Sequence, residues 1–138
     1  MQHYISRKDV RRFRERVYVF GDNMHRSGMR GQAAQMRGEP NTIGIPTKWE
    51  PNFHPNSYFR DSDWHPGSLV YKAVTDGFIN IEAVLRNNRD IVFPQDGIGT
   101  GLAKLPEKAP VIFEFIKSTI EDLMQQYGAV LNHETAGS

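Results

Sequence analysis

The stretch VYVFGDNMHRSGMRGQAA, residues 17–34, decides the fold around which the rest of the chain is organised. Its first four residues are typical of a buried strand, and residues 21–23 then end that strand in a turn. A loop with Gly28 and Gly31 follows and leads into a short helix. This order favours anion binding, because the first N–H groups of a helix have no partners inside it. The alternative is an ordinary turn in which the glycines only adopt positive φ.

Two later segments repeat the pattern of a strand followed by a loop. Residues 42–48 (TIGIPTK) predict a second strand, with Pro46 near its end, where a missing N–H disturbs the ladder least. Residues 90–93 (DIVF) predict a third, and a second glycine-rich loop, PQDGIGTGL, follows over residues 94–102. Because parallel strands end at one edge of a sheet, we expect the three loops to meet there.

Apolar side chains at three- and four-residue spacing predict two long helices. One spans residues 69–85, and the other spans residues 111–124 and ends at Gly128. A shorter basic helix begins after Ser6, a plausible N-cap. Strands that alternate with helices predict an α/β domain with a mostly parallel sheet.

The composition bounds the class of protein. A chain of 138 residues fits one domain, and the lack of cysteine excludes disulfides and thiolate zinc sites. The longest apolar runs are only a few residues, so we expect neither a signal peptide nor a membrane span. The sequence therefore predicts a soluble, cytoplasmic protein.

The charge is unevenly distributed along the chain. The net charge is +1, yet residues 1–16 carry six basic and two acidic side chains. We therefore divide the chain into a basic N-terminal arm (1–16), a globular domain (17–131) and a flexible tail (132–138). A basic arm fits a polyanionic partner such as DNA, and a solvated helix face is an equally good interpretation.

These segments together resemble the macrodomains, a family that binds ADP-ribose. Residues 19–23 match its strand that ends in an asparagine-containing turn, and residues 28–34 match its glycine-rich loop. Residues 93–102 match its strand followed by Pro-x-x-Gly-x-Gly. The resemblance implies a macrodomain-like three-layer α/β fold with a mostly parallel central sheet and ADP-ribose, or a related nucleotide, at the carboxyl edge of its strands.

Residues 45–48 (IPTK) look more specifically like the branch of terminal ADP-ribose protein glycohydrolases and DNA-ADP-ribosyl glycohydrolases. That branch has its proposed catalytic lysine at the end of this strand, where Lys48 stands. The acidic residue that some members carry after the second glycine loop is missing at Ala103. Asp22 and Asp96 are the nearest acids that could act as a base.

Three functions follow from this reading. The first is an ADP-ribosyl glycohydrolase that acts on protein or DNA, with Lys48 as nucleophile. The second is a non-catalytic reader or sponge of an ADP-ribose-derived nucleotide signal. The third is a nucleic-acid-binding protein in which the glycine loops are only turns. No cofactor, metal ion or membrane partner is predicted. Arg30 and Gln32 stand where other macrodomains have small residues, so the first loop departs from the family. The predicted ligand-binding residues are Gly21, Asn23, Gly28, Arg30, Gly31, Gln32, Ala33, Thr47, Trp49, Gly97, Ile98, Gly99, Thr100, Gly101 and Leu102.

The segment 49–66 is rich in proline and aromatic residues and has no periodicity. Loops of this length are usually functional, so we expect a lid over the site. The aromatic side chains either stack on a base or pack the loop onto the domain. A metal cluster of His54, Asp61, Asp63 and His65 is a weaker alternative, because irregular loops often collect such residues.

Overall fold

The computed structural model describes residues 5–128 and 131–132, which form a parallel sheet with helices on both faces. The predicted α/β class is therefore confirmed. No helix in the described ranges is both long enough and apolar enough to cross a membrane. The elements in chain order are α1 (Arg7–Arg12), β1 (Arg16–Asn23), α2 (Gly31–Met36), β2 (Thr42–Lys48), α3 (Leu69–Arg86), β3 (Asp90–Phe93), α4 (Leu105–Lys108), α5 (Pro110–Tyr127) and β4 (Leu131–Asn132).

The sheet has the strand order β2-β1-β3-β4, and all pairings are parallel. Strand β1 lies between β2 and β3 and is buried on both faces. Val17 and Val19 belong to a core that α3 and α5 complete, whereas Tyr18 and Phe20 belong to a core with side chains of α1 and α2. Alternate residues of one strand therefore hold together a three-layer domain.

Helix α3 lies unusually close to strand β2. A Cβ added at Gly77 would lie 2.4 Å from Cδ1 of Ile45, so a larger residue there would collide with that buried side chain of β2. Ser68 caps this helix by accepting a hydrogen bond from the N–H of Tyr71. The predicted helices over residues 69–85 and 111–124 are both present, and Gly128 ends α5 in the left-handed conformation.

The segment predicted as a basic arm is packed against the domain. Ser6 and Asp9 form a capping box at the start of α1, and Ile5 and Val10 are buried beneath it. The side chain of Asn41 also donates hydrogen bonds to carbonyl groups of this segment. These contacts correct the picture of a separate arm, because the apolar side chains complete the core beside α2. Of the predicted tail, Asn132 belongs to β4 and residues 133–138 lie outside the described ranges.

Candidate functional site

A cavity of about 490 Å³ lies at the carboxyl ends of β1, β2 and β3. The sheet extends in both directions from β1, and ligands of open α/β sheets bind at such switch points. The three predicted loops therefore meet, as the strand pattern led us to expect. The predicted site residues that line the cavity are Gly21, Asp22, Asn23, Gly28, Arg30, Gly31, Gln32, Ala33, Thr47, Lys48, Asp96, Gly97, Gly99, Thr100, Gly101 and Leu102.

Two predicted ligand-binding residues, Trp49 and Ile98, do not line the cavity. The ring of Trp49 packs edge-on against Phe59 at 5.5 Å, and its Nε1 donates to Asp63. Ile98 is only 2% exposed and belongs to the main core. Both side chains are more stable under the loops than in an open cavity, because burial removes their apolar surface from water. The predicted contacts of Trp49 and of the Ile98 N–H with a ligand stay predictions.

Asn23 carries an unsatisfied polar atom at the cavity. This residue is only 6% exposed, and its Nδ2 donates to the carbonyl of Ser27 at 2.6 Å. Its Oδ1 has no hydrogen-bond partner. Within the described part of the chain, no other buried side-chain nitrogen or oxygen lacks a partner. A buried acceptor without a donor costs about 1–3 kcal/mol. A ligand that brings a hydroxyl or amino group would remove this cost.

Lys48 lies at the end of β2 and is only 7% exposed. Its Nζ donates to the carbonyl of Asn52 at 2.6 Å and lies 4.6 Å from the ring centroid of Tyr58 and 5.2 Å from that of Phe53. No carboxylate within residues 5–128 forms an ion pair with it. Burial lowers the pKa of Lys48 from its ordinary value. The fraction of neutral, nucleophilic amine is therefore raised.

Asp22, which the sequence predicts as a candidate base, uses both carboxylate oxygens in contacts inside the protein. Its Oδ1 accepts hydrogen bonds from Arg37 at 2.6 Å and from the N–H of Asn23 at 2.8 Å. Its Oδ2 faces Arg26 at 3.4 Å. Arg37 also donates to the carbonyl of Gly28 and so ties the first glycine loop to β1. Asp22 thus holds the loop in place and has no free oxygen to serve as a base.

Gln32 lines the cavity, but its amide is used inside the protein. Its Oε1 accepts from the N–H of Ile5 at 2.9 Å, and its Nε2 donates to the carbonyl of the same residue. Its predicted role in ligand binding is therefore not supported by a free polar atom. The contact instead joins α2 to the segment that precedes α1.

The second glycine loop presents unpaired backbone donors to the cavity. Gly97 and Gly99 have φ values of 91° and 83°, which favour glycine. The N–H groups of Thr100, Gly101 and Leu102 donate to no acceptor within residues 5–128. Successive free N–H groups of this kind attract anions.

Acidic side chains are scarce on this side of the cavity. Ala103 is buried and brings no carboxylate, whereas Asp96 is exposed at the rim. The carboxylate of Asp96 has no hydrogen-bond or ion-pair partner among the described residues. It is the better of the two predicted bases.

The mouth of the cavity is apolar and cationic. Met29, Phe53 and Leu102 are exposed by 94%, 49% and 47%, respectively. The guanidinium of Arg30 lies 5.0 Å from the ring centroid of Phe53, so the two loops touch across the opening. Exposed apolar side chains beside a cavity are typical of a ligand-binding rim.

The long loop over residues 49–66 divides into two parts. Pro51 and Phe53 line the cavity, and Pro51 lies directly against Gly28. Tyr58, Phe59 and Trp64 instead pack against the domain. The predicted lid is therefore limited to the tip of this loop, because the aromatic side chains of its second half complete the core.

The predicted metal alternative has no cluster of ligands in the structure. Asp61 accepts a hydrogen bond from the N–H of Val111, and Asp63 accepts from Trp49 and from the N–H of Arg60. No group of three metal-ligating side chains comes together within residues 5–128 and 131–132. These carboxylates fasten the loop to its surroundings.

A second cavity of about 490 Å³ lies between β2 and α3. Its charged side chains are paired, since Lys72 contacts Asp76 at 2.6 Å and Arg26 contacts Asp22. Arg26 also donates to the carbonyl of Gly44 and covers part of the edge of β2. This second cavity therefore offers a ligand fewer unpaired polar groups than the first cavity does.

The chain belongs to a known family. A model of the family of unknown function DUF7831 matches residues 1–119. No curated protein and no solved structure matches the chain. Because this family has no assigned activity, the function is inferred from the chemistry of the cavity.

Proposed function

We propose that this cavity binds ADP-ribose or a closely related nucleotide, and that Lys48 enables it to remove ADP-ribose from protein or DNA. The observation that carries the binding proposal is the buried, unpartnered Oδ1 of Asn23. ADP-ribose offers several ribose hydroxyl groups that could donate to this oxygen. A polar ligand without donors would leave the acceptor unsatisfied.

The rest of the cavity supports a phosphorylated ligand. The free N–H groups of residues 100–102 suit a diphosphate, and Arg30 lies at the opposite side of the mouth without an ion-pair partner among the described residues. A volume of about 490 Å³ lies within the usual range for small-molecule sites. The resemblance to macrodomains points to the same ligand.

Lys48 supports a catalytic role within this proposal. The neutral amine attacks the anomeric carbon of the ribose, and the bond to the protein carboxylate or DNA base breaks with its electron pair on the leaving group. The attacking nitrogen releases a proton to Asp96 or to water. Water then hydrolyses the lysine adduct and regenerates the amine. Burial and the missing carboxylate partner both favour the neutral form that this step needs.

A non-catalytic reader or sponge is the second candidate. It is favoured by Ala103, which brings no carboxylate, and by Asp22, whose oxygens already face Arg37 and Arg26. Only Asp96 would then remain to move protons. The choice between the two candidates depends on whether bound substrate is turned over.

Binding and turnover are tested separately. Titration calorimetry with ADP-ribose tests binding, and the absence of heat at sub-millimolar protein would refute the proposal. Turnover is measured with ADP-ribosylated protein and DNA for the wild type and Lys48→Met. The variant should lose at least about 100-fold in rate, as when other positioned catalytic groups are removed, and should still bind ADP-ribose.

Lys108→Met provides the matched control. Its Nζ lies 5.4 Å from the ring centroid of Tyr58, yet Lys108 is exposed and does not line the cavity. This variant should keep the rate of the wild type. If the wild type binds ADP-ribose but does not turn over either substrate, the glycohydrolase proposal is refuted and the non-catalytic reader is supported.

A further inference from the structure

Helix α1, the turn that follows it and the first residue of β1 present a surface of arginines, which we call the arginine face. Its members are Arg7, Arg11, Arg12, Arg14 and Arg16. Residues 7–16 and Glu39 together hold six basic and three acidic side chains, which leaves eleven basic and thirteen acidic side chains elsewhere in the chain. The positive charge of this protein is therefore concentrated on one part of its surface.

One buried carboxylate organises the arginine face. Glu39 has a side-chain exposure of 6% and contacts Arg7, Arg11 and Arg14 at 2.5, 3.1 and 3.5 Å. Three guanidinium groups around one carboxylate leave an excess of two positive charges. The side chains of Arg11 and Arg14 remain 59% and 49% exposed, so they can bind a second anion from solution.

The remaining arginines are held by an aromatic ring. The guanidinium carbons of Arg12 and Arg16 lie 5.2 and 4.2 Å from the ring centroid of Phe13. Arg12 is exposed and forms no ion pair among the described residues. Because a guanidinium that stacks on a ring keeps its N–H edges available for hydrogen bonds, Arg12 can bind a phosphate from solution.

The backbone beneath these side chains is fixed. Asn41 donates to the carbonyls of Val10 and Arg16, both at 3.0 Å, and the capping box at Ser6 holds the first turn of α1. Val10 is fully buried. The cations are therefore arranged before a partner arrives, which lowers the entropic cost of binding.

We propose that the arginine face docks the phosphodiester backbone of a nucleic acid. Arginine is the basic residue whose planar fork matches phosphate oxygens, and five of the six cations of residues 7–16 are arginines. An acidic protein fits less well, because protein interfaces need apolar or aromatic anchors at their centre. The apolar residues Ile5 and Val10 are buried beneath this face, and the guanidinium groups of Arg12 and Arg16 lie over the ring of the half-buried Phe13, so no apolar side chain is offered as an anchor.

The test measures how salt changes the affinity for a mixed-sequence 20-bp DNA duplex and for a 20-nucleotide single strand. In Arg11→Gln/Arg12→Gln/Arg14→Gln, the slope of log K against log salt should fall by about 2–3, near 0.9 per lost contact with duplex phosphate. Arg12→Gln alone should lower the slope by about one. This single variant leaves the Glu39 cluster intact, so its result does not depend on refolding of that cluster.

Lys72→Gln/Arg86→Gln is the matched control. These two residues are exposed and form i,i+4 ion pairs like many surface cations, but they lie on α3 in the opposite layer. The control should keep the wild-type slope. Unchanged slopes in both arginine variants, or no binding of either DNA by the wild type, would overturn the proposal. Equal affinity for polyglutamate at the same salt concentration would also overturn it, in favour of an acidic protein.

Discussion

Two buried asparagines, Asn41 and Asn23, lie near opposite ends of β1 and differ in how their polar atoms are satisfied. Asn41, near the amino end, is 4% exposed; its Nδ2 donates to backbone carbonyls of the α1 segment, and its Oδ1 accepts from Arg14. Asn23, at the carboxyl end, is 6% exposed and leaves Oδ1 without a partner. Similar burial therefore accompanies two different uses of the same side chain.

The buried charges follow the same division. Glu39, at the amino end, has three arginines around it, whereas Lys48, at the carboxyl end, has no carboxylate partner among residues 5–128. Unsatisfied polar groups lower stability, so they persist where another molecule satisfies them. We therefore expect the contacts at the amino end of β1 to contribute to stability, and we propose that the carboxyl end binds a ligand.

The largest expected effect is on the stability of the amino end. Asn41→Ala should lower the free energy of unfolding by about 2–4 kcal/mol, because the buried carbonyl of Val10 and the partly buried carbonyl of Arg16 lose a donor. Urea denaturation measures the change. Asn87→Ala is the control, since Asn87 is exposed and its side chain bonds one helix carbonyl. A similar loss in both variants would contradict the special role of Asn41.

The next effect is on ligand affinity at the carboxyl end. Asn23→Ala should weaken ADP-ribose binding about tenfold, because the ligand loses an acceptor, and should change stability by less than about 1 kcal/mol. Calorimetry and thermal melts measure the two quantities. Asn87→Ala serves as the control here too, because Asn87 is exposed and does not line the cavity. Equal losses of affinity in both variants would mean that the Asn23 oxygen is not special.

A smaller effect is the acid sensitivity of the amino end. Hydrogen bonds from Arg11 and Arg7 lower the pKa of Glu39, against the opposing effect of burial. A carboxyl group with a lowered pKa contributes stability that is present above its ordinary value of about 4.3 and is lost as the pH falls through the folded-state pKa. Glu39→Gln should flatten this part of the pH–stability curve. Glu121→Gln, at an exposed position of α5, should leave the curve unchanged.

The smallest effect is the alkaline response of the carboxyl end. The pKa of Lys48 is lowered by burial, so the unfolded chain binds more protons than the folded protein between that value and about 10.4. Stability should therefore rise with pH through this window. Lys48→Met should remove the rise, and Lys72→Met, at an exposed ion-paired site, should retain it. A rise that survives in Lys48→Met would assign it to another group.

The sequence alone determined the long helices, three strands and the edge of the sheet at which they meet, although β1 continues through residues 21–23, where the sequence predicts a turn. The strand over residues 42–48 and the two long helices were predictable because apolar periodicity and caps act over a few residues. The glycine loops follow strands in the chain, and parallel strands share a carboxyl edge, so most of the cavity lining was predictable as well.

Only the tertiary structure decided which of those residues have free polar atoms. The carboxylate of Asp22 accepts hydrogen bonds from Arg37, 15 residues away. The side-chain amide of Gln32 is hydrogen-bonded to the backbone of Ile5, 27 residues away. Glu39 likewise draws together arginines that the sequence presents as a solvated row. Hydrogen bonds between distant residues leave no periodic trace in a sequence. The unpartnered oxygen of Asn23 is visible only once every neighbouring donor has been placed.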